Sequence, residues 1–246
     1  MAGKRRVIDW LRRTPADPRL ELCGRQVPVA IRRHPTARRM TLRLAPDGSE
    51  VRLTLPRWGR TSDGLDFAAS RRDWLEGQMA RLPGNTAPEA GGMLLYRGQE
   101  LAIRWHEKAR RTPALEDEGL LVGGPQDGLA PRLKRWLEGE ALRHMGTDLA
   151  HYCAVAGKTP PPLRLSRAQR RWGSCASDGT IRLNWRLIQA PDAVRRSVVA
   201  HEVAHLSHFD HSPAFHALLA ELFEGDLKEA NRWLKAHGRR LYSTFG

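Results

Sequence analysis

Two histidines and a glutamate fall within five consecutive residues, His201-Glu202-Val203-Ala204-His205. If this segment is helical, residues four apart project from the same face, one turn apart. Both imidazoles can then bind one zinc ion, and Glu202 is placed to accept a proton from water on that ion. The pattern therefore indicates a zinc-dependent hydrolase with Glu202 as its catalytic residue. The alternative is a buried helix with two hydrogen-bonded histidines, which does not require this spacing.

A hydrolytic zinc site usually has three protein ligands and leaves a fourth position for water. The leading third ligand is His211, which follows His205 by the same step as in the metzincin pattern H-E-x-x-H-x-x-G-x-x-H. That pattern has a glycine where this chain has His208, and it requires a methionine turn downstream. All five methionines of this chain precede the motif. We therefore reject the metzincin class and keep His211 as the predicted ligand.

Glutamates of the following helix are the rival third ligands, as in thermolysin-like sites. Glu221, Glu224 and Glu229 are available, but we favour ordinary solvent-exposed charge for all three. His208 and His216 are expected beside the site or on the surface rather than on the metal. The resulting prediction is one Zn²⁺ per chain, held by histidines alone.

Regular elements must position these side chains. Pro191 and Asp192 are typical of a helix start, and no glycine or proline interrupts residues 192–209, which we predict to be the metal-binding helix. A closing helix is predicted over Pro213–Phe223. A strand is predicted over Thr180–Leu187, immediately before the metal-binding helix. We expect this strand to form the edge of a cleft, to which a peptide substrate could add as a further strand.

Three segments of the chain resemble the YgjP-like metallopeptidases, which are zincin-like proteins related to the SprT and WLM domains. They are Arg171–Cys175 (RWGSC), Ile181–Ile188 (IRLNWRLI) and His201–Phe215, which contains the HExxH and HSPxF blocks. The resemblance extends over most of the chain and implies a metallopeptidase. It also implies a catalytic glutamate at Glu202 and metal ligands at His201, His205 and His211.

Four residues of the first two segments are candidates to line a substrate cleft. They are Arg171, Trp172, Ser174 and Asn184. The alternative interpretation is structural, with the tryptophan in the core, the arginine paired with an acid, and Gly173 present for a tight turn. Both interpretations remain open at the level of the sequence.

The order of predicted elements indicates an α+β fold with two parts. Residues 1–115 are expected to form a strand-rich N-terminal region with one helix, Asp63–Leu82, and a hairpin over Met93–Trp105. Charged, glycine-rich residues 116–130 are the predicted boundary. Residues 131–246 are expected to form a minimal zincin-like domain of a helix, a β-hairpin, the HExxH helix and a closing helix.

The chain of 246 residues carries a formal net charge of +14. The positive surplus lies before residue 201, because residues 201–246 hold 5 Lys and Arg against 6 Asp and Glu. Such a surface could attract nucleic acid, nucleotides or acidic peptides, although no compact Lys/Arg run is present and an arginine-rich composition is also typical of GC-rich genomes. Three cysteines without a CxxC pair, no membrane-length apolar segment and no signal peptide predict a cytoplasmic protein with no membrane partner.

Three functions fit these observations. The first is hydrolysis of a peptide or protein substrate. The second is hydrolysis of a non-peptide substrate such as a nucleotide phosphoanhydride, with arginines holding the phosphates. The third is a nucleic-acid-binding protein with a structural zinc, or its hybrid with the first, a DNA-associated protease of the SprT type. The sequence leaves the oligomeric state open.

Overall fold

The computed structural model describes residues 17–82 and 87–245. Within these ranges the protein is α+β, with three mixed sheets and six α-helices, which confirms the predicted fold class. The chain divides into two compact units, one ending at Gly84 and the other beginning at Asn85. None of the described helices has the length and apolar character needed to cross a membrane.

The first unit contains a four-stranded sheet. Strands β1 (Arg19–Leu22), β2 (Arg25–His34), β3 (Thr41–Leu44) and β4 (Val51–Pro56) lie in the order β1-β2-β4-β3. Alternate residues of a strand point to the same face, and the buried face of β4 presents leucines and a valine to the core of this unit.

Two helices complete the first unit where the sequence predicts one. Helix α1 (Thr61–Ser70) and helix α2 (Arg72–Ala80) are separated at Arg71, whose φ of −106° and ψ of 17° are not helical. The Arg71 N–H donates to the carbonyl of Ala68 at 3.2 Å, and the Ser70 hydroxyl donates to the carbonyl of Phe67 at 2.9 Å. These tighter bonds replace the helical pattern and end α1.

The second unit begins with another four-stranded sheet. Strands β5 (Met93–Tyr96), β6 (Gln99–Trp105), β7 (Ala114–Glu116) and β8 (Gly119–Val122) lie in the order β5-β6-β8-β7. The hairpin predicted over Met93–Trp105 is thus present as β5 and β6.

The predicted boundary at residues 116–130 lies inside this second unit. Strand β8 pairs in parallel with β6, and its side chains Leu120 and Val122 join the same core as Leu133 and Leu137 of the long helix α3 (Leu129–Val155). Because this segment is buried and hydrogen-bonded, the break between the two units lies about thirty residues earlier in the chain, between Gly84 and Asn85.

A three-stranded sheet precedes the metal-binding helix. Strands β9 (Leu163–Ser166), β10 (Gly173–Cys175) and β11 (Ile181–Asn184) lie in the order β10-β11-β9. The strand predicted over Thr180–Leu187 is β11, which is shorter and continues as a 3-10 turn. It is the middle strand and not an edge, because it pairs antiparallel with β10 and parallel with β9. The expectation that it forms the edge of the cleft is therefore wrong.

Three helices complete the second unit: α4 (Asp192–Ala204), α5 (Pro213–Leu222) and α6 (Leu227–His237). Helix α4 packs against α3, α5, α6 and β10. It ends at Ala204, five residues before the end predicted for it. The closing helix predicted over Pro213–Phe223 is α5.

Ion pairs fix the start of α4. Asp192, in its first turn, accepts hydrogen bonds from Arg97 Nε in the β5–β6 turn at 3.0 Å and from Arg195 Nη1 at 2.5 Å. The buried Arg195 also donates through Nε to Asp148 of α3 at 2.7 Å. The two guanidinium groups hold the pKa of Asp192 down at about 2. These bonds set the position of α4 relative to the hairpin and to α3.

Candidate metal centre

Three imidazoles converge where α4 ends. Nε2 of His201 lies 3.2 Å from Nε2 of His205 and 3.3 Å from Nε2 of His211, and the possible ligand atoms of all three lie within 4.8 Å of one another. Two nitrogens bound tetrahedrally to zinc at about 2.0–2.1 Å lie roughly 3.3 Å apart. The donor set and its spacing therefore fit Zn²⁺. In the described parts of the chain these residues form the one cluster of three or more potential ligands.

The chain turns sharply after α4 so that His211 can return to the other two histidines. The N–H groups of Ser207 and His208 both donate to the carbonyl of Ala204 at 3.1 Å. The carbonyl of His208 then accepts a hydrogen bond from Nδ1 of His205 at 2.9 Å, which leaves Nε2 of His205 to face the site. His208 has a negative φ. This turn therefore does not need the glycine that the metzincin pattern has at the same position.

Phe215 packs against all three imidazoles. Its ring centroid lies 5.0 Å from that of His201, 4.6 Å from His205 and 4.8 Å from His211, and its side chain is fully buried. Helix α5 places it there, because Ser212 caps the helix by accepting the N–H of Phe215. Phe215 lies inside the HSPxF block, but no sequence pattern used above predicts this role for it.

Glu202 lies on the same helix with only 5 % of its surface exposed. Its carboxylate accepts the N–H of Cys175, and burial raises its pKa to about 7, against the opposing charge of Arg171. Strand β10 passes so close that a Cβ on Gly173 would lie 2.6 Å from Cγ of Glu202. The RWGSC block therefore needs a glycine at this position, because a side chain would occupy the space of the Glu202 carboxylate.

The other residues of the predicted cleft lie in different environments. Arg171 is exposed and its charge acts on Glu202, and Ser174 is half-buried on β10 opposite Arg182. Trp172 packs its ring 5.5 Å from that of Tyr242.

Asn184 is fully buried. Its amide group donates to the carbonyl of Ala168 at 2.8 Å and to the hydroxyl of Tyr242 at 3.0 Å, and its Oδ1 accepts the N–H of Arg186 at 3.1 Å. Asn184 therefore holds interior segments together and does not face a cleft.

The rival ligands lie outside the cluster of histidines. Glu224 accepts the hydroxyl of Tyr152 at 2.9 Å and pairs with Arg196 at 2.8 Å. Glu221 and Glu229 are exposed. The ring of His216 lies 6.3 Å from that of His211, and His216 does not belong to the cluster of potential ligands.

A helix that carries HExxH, followed by a third converging histidine, defines a class of metal-dependent hydrolases. The family model of the YgjP-like metallopeptidase domain matches residues 38–237, and the chain belongs to this family. Membership assigns metal-dependent hydrolysis of peptides or proteins at the level of the family.

Among solved structures, the chain is similar to the metallopeptidase zymogen of Pyrococcus abyssi abylysin. The identity is 23%, the match covers 39% of this chain and 96% of that chain, and the TM-score is 0.35. The comparison with curated proteins found none that matches.

Proposed function

We propose that the protein is a zinc-dependent peptidase in which Glu202 is the general base. The observation that carries the proposal is the convergence of three imidazole nitrogens at zinc-compatible spacing, with a buried carboxylate in the last turn of α4 beside them. His201, His205 and His211 would hold the ion. When bound, zinc would lower the pKa of water and polarise the carbonyl of the substrate.

Glu202 would move the proton. Its carboxylate accepts a proton from the attacking water and delivers it to the nitrogen of the leaving amine. Two features of β10 support this role, since the N–H of Cys175 orients the carboxylate and the missing side chain of Gly173 leaves room for it. His205 is oriented in turn by the carbonyl of His208.

The substrate would bind along β10. This strand is an edge of its sheet, with β11 on one side only, and its Cys175 N–H contacts Glu202. An extended peptide can add to such an edge through backbone hydrogen bonds, which supply affinity without demanding a particular sequence. The scissile bond would then lie beside the carboxylate.

The test is a comparison of Glu202→Gln with the wild type for zinc content and for cleavage of an unfolded protein. We expect one zinc per chain in both and a loss of turnover of at least about 100-fold in the variant. Glu221→Gln is the matched control, because it removes an exposed glutamate on α5 and should change neither quantity. A Glu202→Gln variant with near-normal turnover would overturn the assignment.

The same samples separate the other functions predicted from the sequence. Glu202-dependent release of phosphate from nucleoside triphosphates, without cleavage of protein, would replace the peptidase by a nucleotide hydrolase. DNA affinity that falls steeply with salt would favour a DNA-associated protease of the SprT type.

A further inference from the structure

The second unit contains a cavity that shares no residue with the metal centre. It lies at the N-terminal end of α3, has a volume of about 520 Å³, and is lined by three arginines, Arg111, Arg132 and Arg135. Sites for small organic ligands usually have volumes of roughly 300–1,000 Å³. The cavity is therefore large enough for more than a single ion.

The three guanidinium groups have no carboxylate partner among the described residues. Several arginines elsewhere in the unit do have carboxylate partners, as Arg195 has in Asp148 and Arg240 in Glu100. Clustered like charges repel one another, so an arrangement without acids is stabilised by an anion that binds between them.

Arg132 gives independent support for a missing partner. Its Nη2 donates to the carbonyl of Pro125 at 2.5 Å, but its Nε is buried and makes no hydrogen bond. A buried donor without an acceptor is rare in native proteins and is commonly explained by a bound ion or water. Gly128 leaves room for this guanidinium group, because a Cβ at that position would lie 2.6 Å from Nη1 of Arg132.

The lining also indicates the chemistry of the ligand. Guanidinium groups bind phosphate oxygens in pairs and match their geometry better than ammonium groups do. Trp136, Pro113 and Pro131 line the same cavity and offer apolar surface for an organic part. We propose that this pocket binds a small organic phosphate, with the phosphate on the arginines and the organic group against Trp136.

The proposal can be tested by calorimetric titration of the full-length, zinc-loaded protein with phenyl phosphate and with inorganic phosphate. We expect phenyl phosphate to bind with a dissociation constant below about 1 mM and more tightly than inorganic phosphate. The double variant Arg111→Ala/Arg135→Ala removes two exposed side chains of the pocket, and it should weaken binding at least about tenfold.

The matched control is Lys108→Ala/Arg110→Ala, which removes two exposed positive charges close to Arg111 but outside the pocket. It should weaken binding less than about twofold at 0.15 M salt. A third variant, Arg111→Lys/Arg135→Lys, keeps the charge and removes the forked guanidinium groups, and it should give an intermediate loss.

Three results would overturn the proposal. They are no binding of phenyl phosphate at millimolar concentration, an equal loss in the control variant, and unchanged binding in Arg111→Ala/Arg135→Ala. The last result would place the phosphate outside the arginine pocket. All these variants keep the metal centre intact. The test is therefore independent of the role proposed for Glu202.

Discussion

Glu202 and Gly173 come into contact where α4 passes β10, so the two residues depend on each other. The structural interpretation of the RWGSC block places Gly173 in a tight turn, but the φ of Gly173 is not positive and the residue lies in a strand. What excludes a side chain is the carboxylate of Glu202, 29 residues further along the chain. Such a requirement depends on tertiary packing and has no local signal.

Replacing Gly173 by alanine should displace the carboxylate. We expect Gly173→Ala to retain zinc, to lose at least about tenfold in peptidase turnover, and to lose about 1–3 kcal/mol of stability. The control is Gly139→Ala on the exposed face of α3, where a Cβ meets no atom within 4 Å and alanine should stabilise the helix by up to about 1 kcal/mol. Zinc content, turnover and urea unfolding measure these effects, and full turnover in Gly173→Ala would refute the argument.

Phe215 should contribute to zinc affinity although it is not a metal ligand. We expect Phe215→Leu to weaken zinc binding by about tenfold, because the three imidazoles lose the ring that packs against them. Phe223→Leu is the control, since Phe223 is also buried in the same core but has no ring contact with a histidine among the described residues. Both variants should lose stability. Competition with a chelator measures the affinity, and equal affinities in the two variants would contradict the prediction.

The role of a residue can be predicted from the sequence when its partners lie close to it along the chain, and not when they lie far away. His201, Glu202 and His205 are fixed by the geometry of one helix, so their spacing alone identifies them. The acceptors of the Asn184 amide group lie 16 and 58 residues away in the sequence. A sequence pattern could suggest a cleft residue at this position, but only the fold shows that its amide group is hydrogen-bonded in the interior of the protein.

Among the helices and strands, the residues at which an element begins are easier to predict from the sequence than those at which it ends. The proline and acid at the start of α4, and the turn of the β5–β6 hairpin, act within a few residues. The end of α4 depends on the hydrogen bond from His205 to the carbonyl of His208, which an uninterrupted run of helix-forming residues does not reveal. Strand β10 has only three residues, too few for an alternating pattern, so the edge position was assigned to its neighbour.

The ionisation of Asp192 makes the stability of the protein depend on pH through its ion pairs at the start of α4. Its pKa is about 2 in the folded protein against 3.8 for a free side chain, so its ion pairs contribute stability above about pH 4. That contribution is lost as the pH falls from about 4 to about 2, where the carboxylate is protonated in both states. Asp192→Asn should therefore be less stable than the wild type at pH 6, and the difference should shrink below pH 4.

Urea unfolding of chelator-treated protein between pH 6 and pH 2.5 measures this difference without interference from metal release. Asp117→Asn is the control, because Asp117 is exposed and has no ion pair in the described part of the chain. It should follow the wild type at every pH. A gap between Asp192→Asn and the wild type that stays constant as the pH falls would show that the ion pairs are not its cause.

At the scale of the whole molecule, the glycines of residues 119–128 gave a misleading signal. They suggested a linker, whereas Gly119 and Gly123 lie where backbones approach closely. A Cβ on Gly119 would lie 2.5 Å from the carbonyl oxygen of Ala102, and one on Gly123 would collide with the backbone of Ala109. Composition alone does not distinguish a glycine needed for flexibility from one needed for close packing.

Two fragments distinguish the boundary of the structure from the boundary predicted from composition. Residues 87–245 contain the metal ligands, Glu202 and both sheets of the second unit, so we expect this fragment to unfold cooperatively and to bind one zinc. Residues 131–245 lack β5 to β8 and would expose Leu133 and Leu137 of α3, which are fully buried in the intact unit. Because each such leucine contributes about 1.5–3 kcal/mol by its burial, we expect the shorter fragment to be unfolded or aggregated. Circular dichroism and zinc titration of both fragments measure the outcome, and a folded, zinc-binding 131–245 would restore the boundary at residues 116–130.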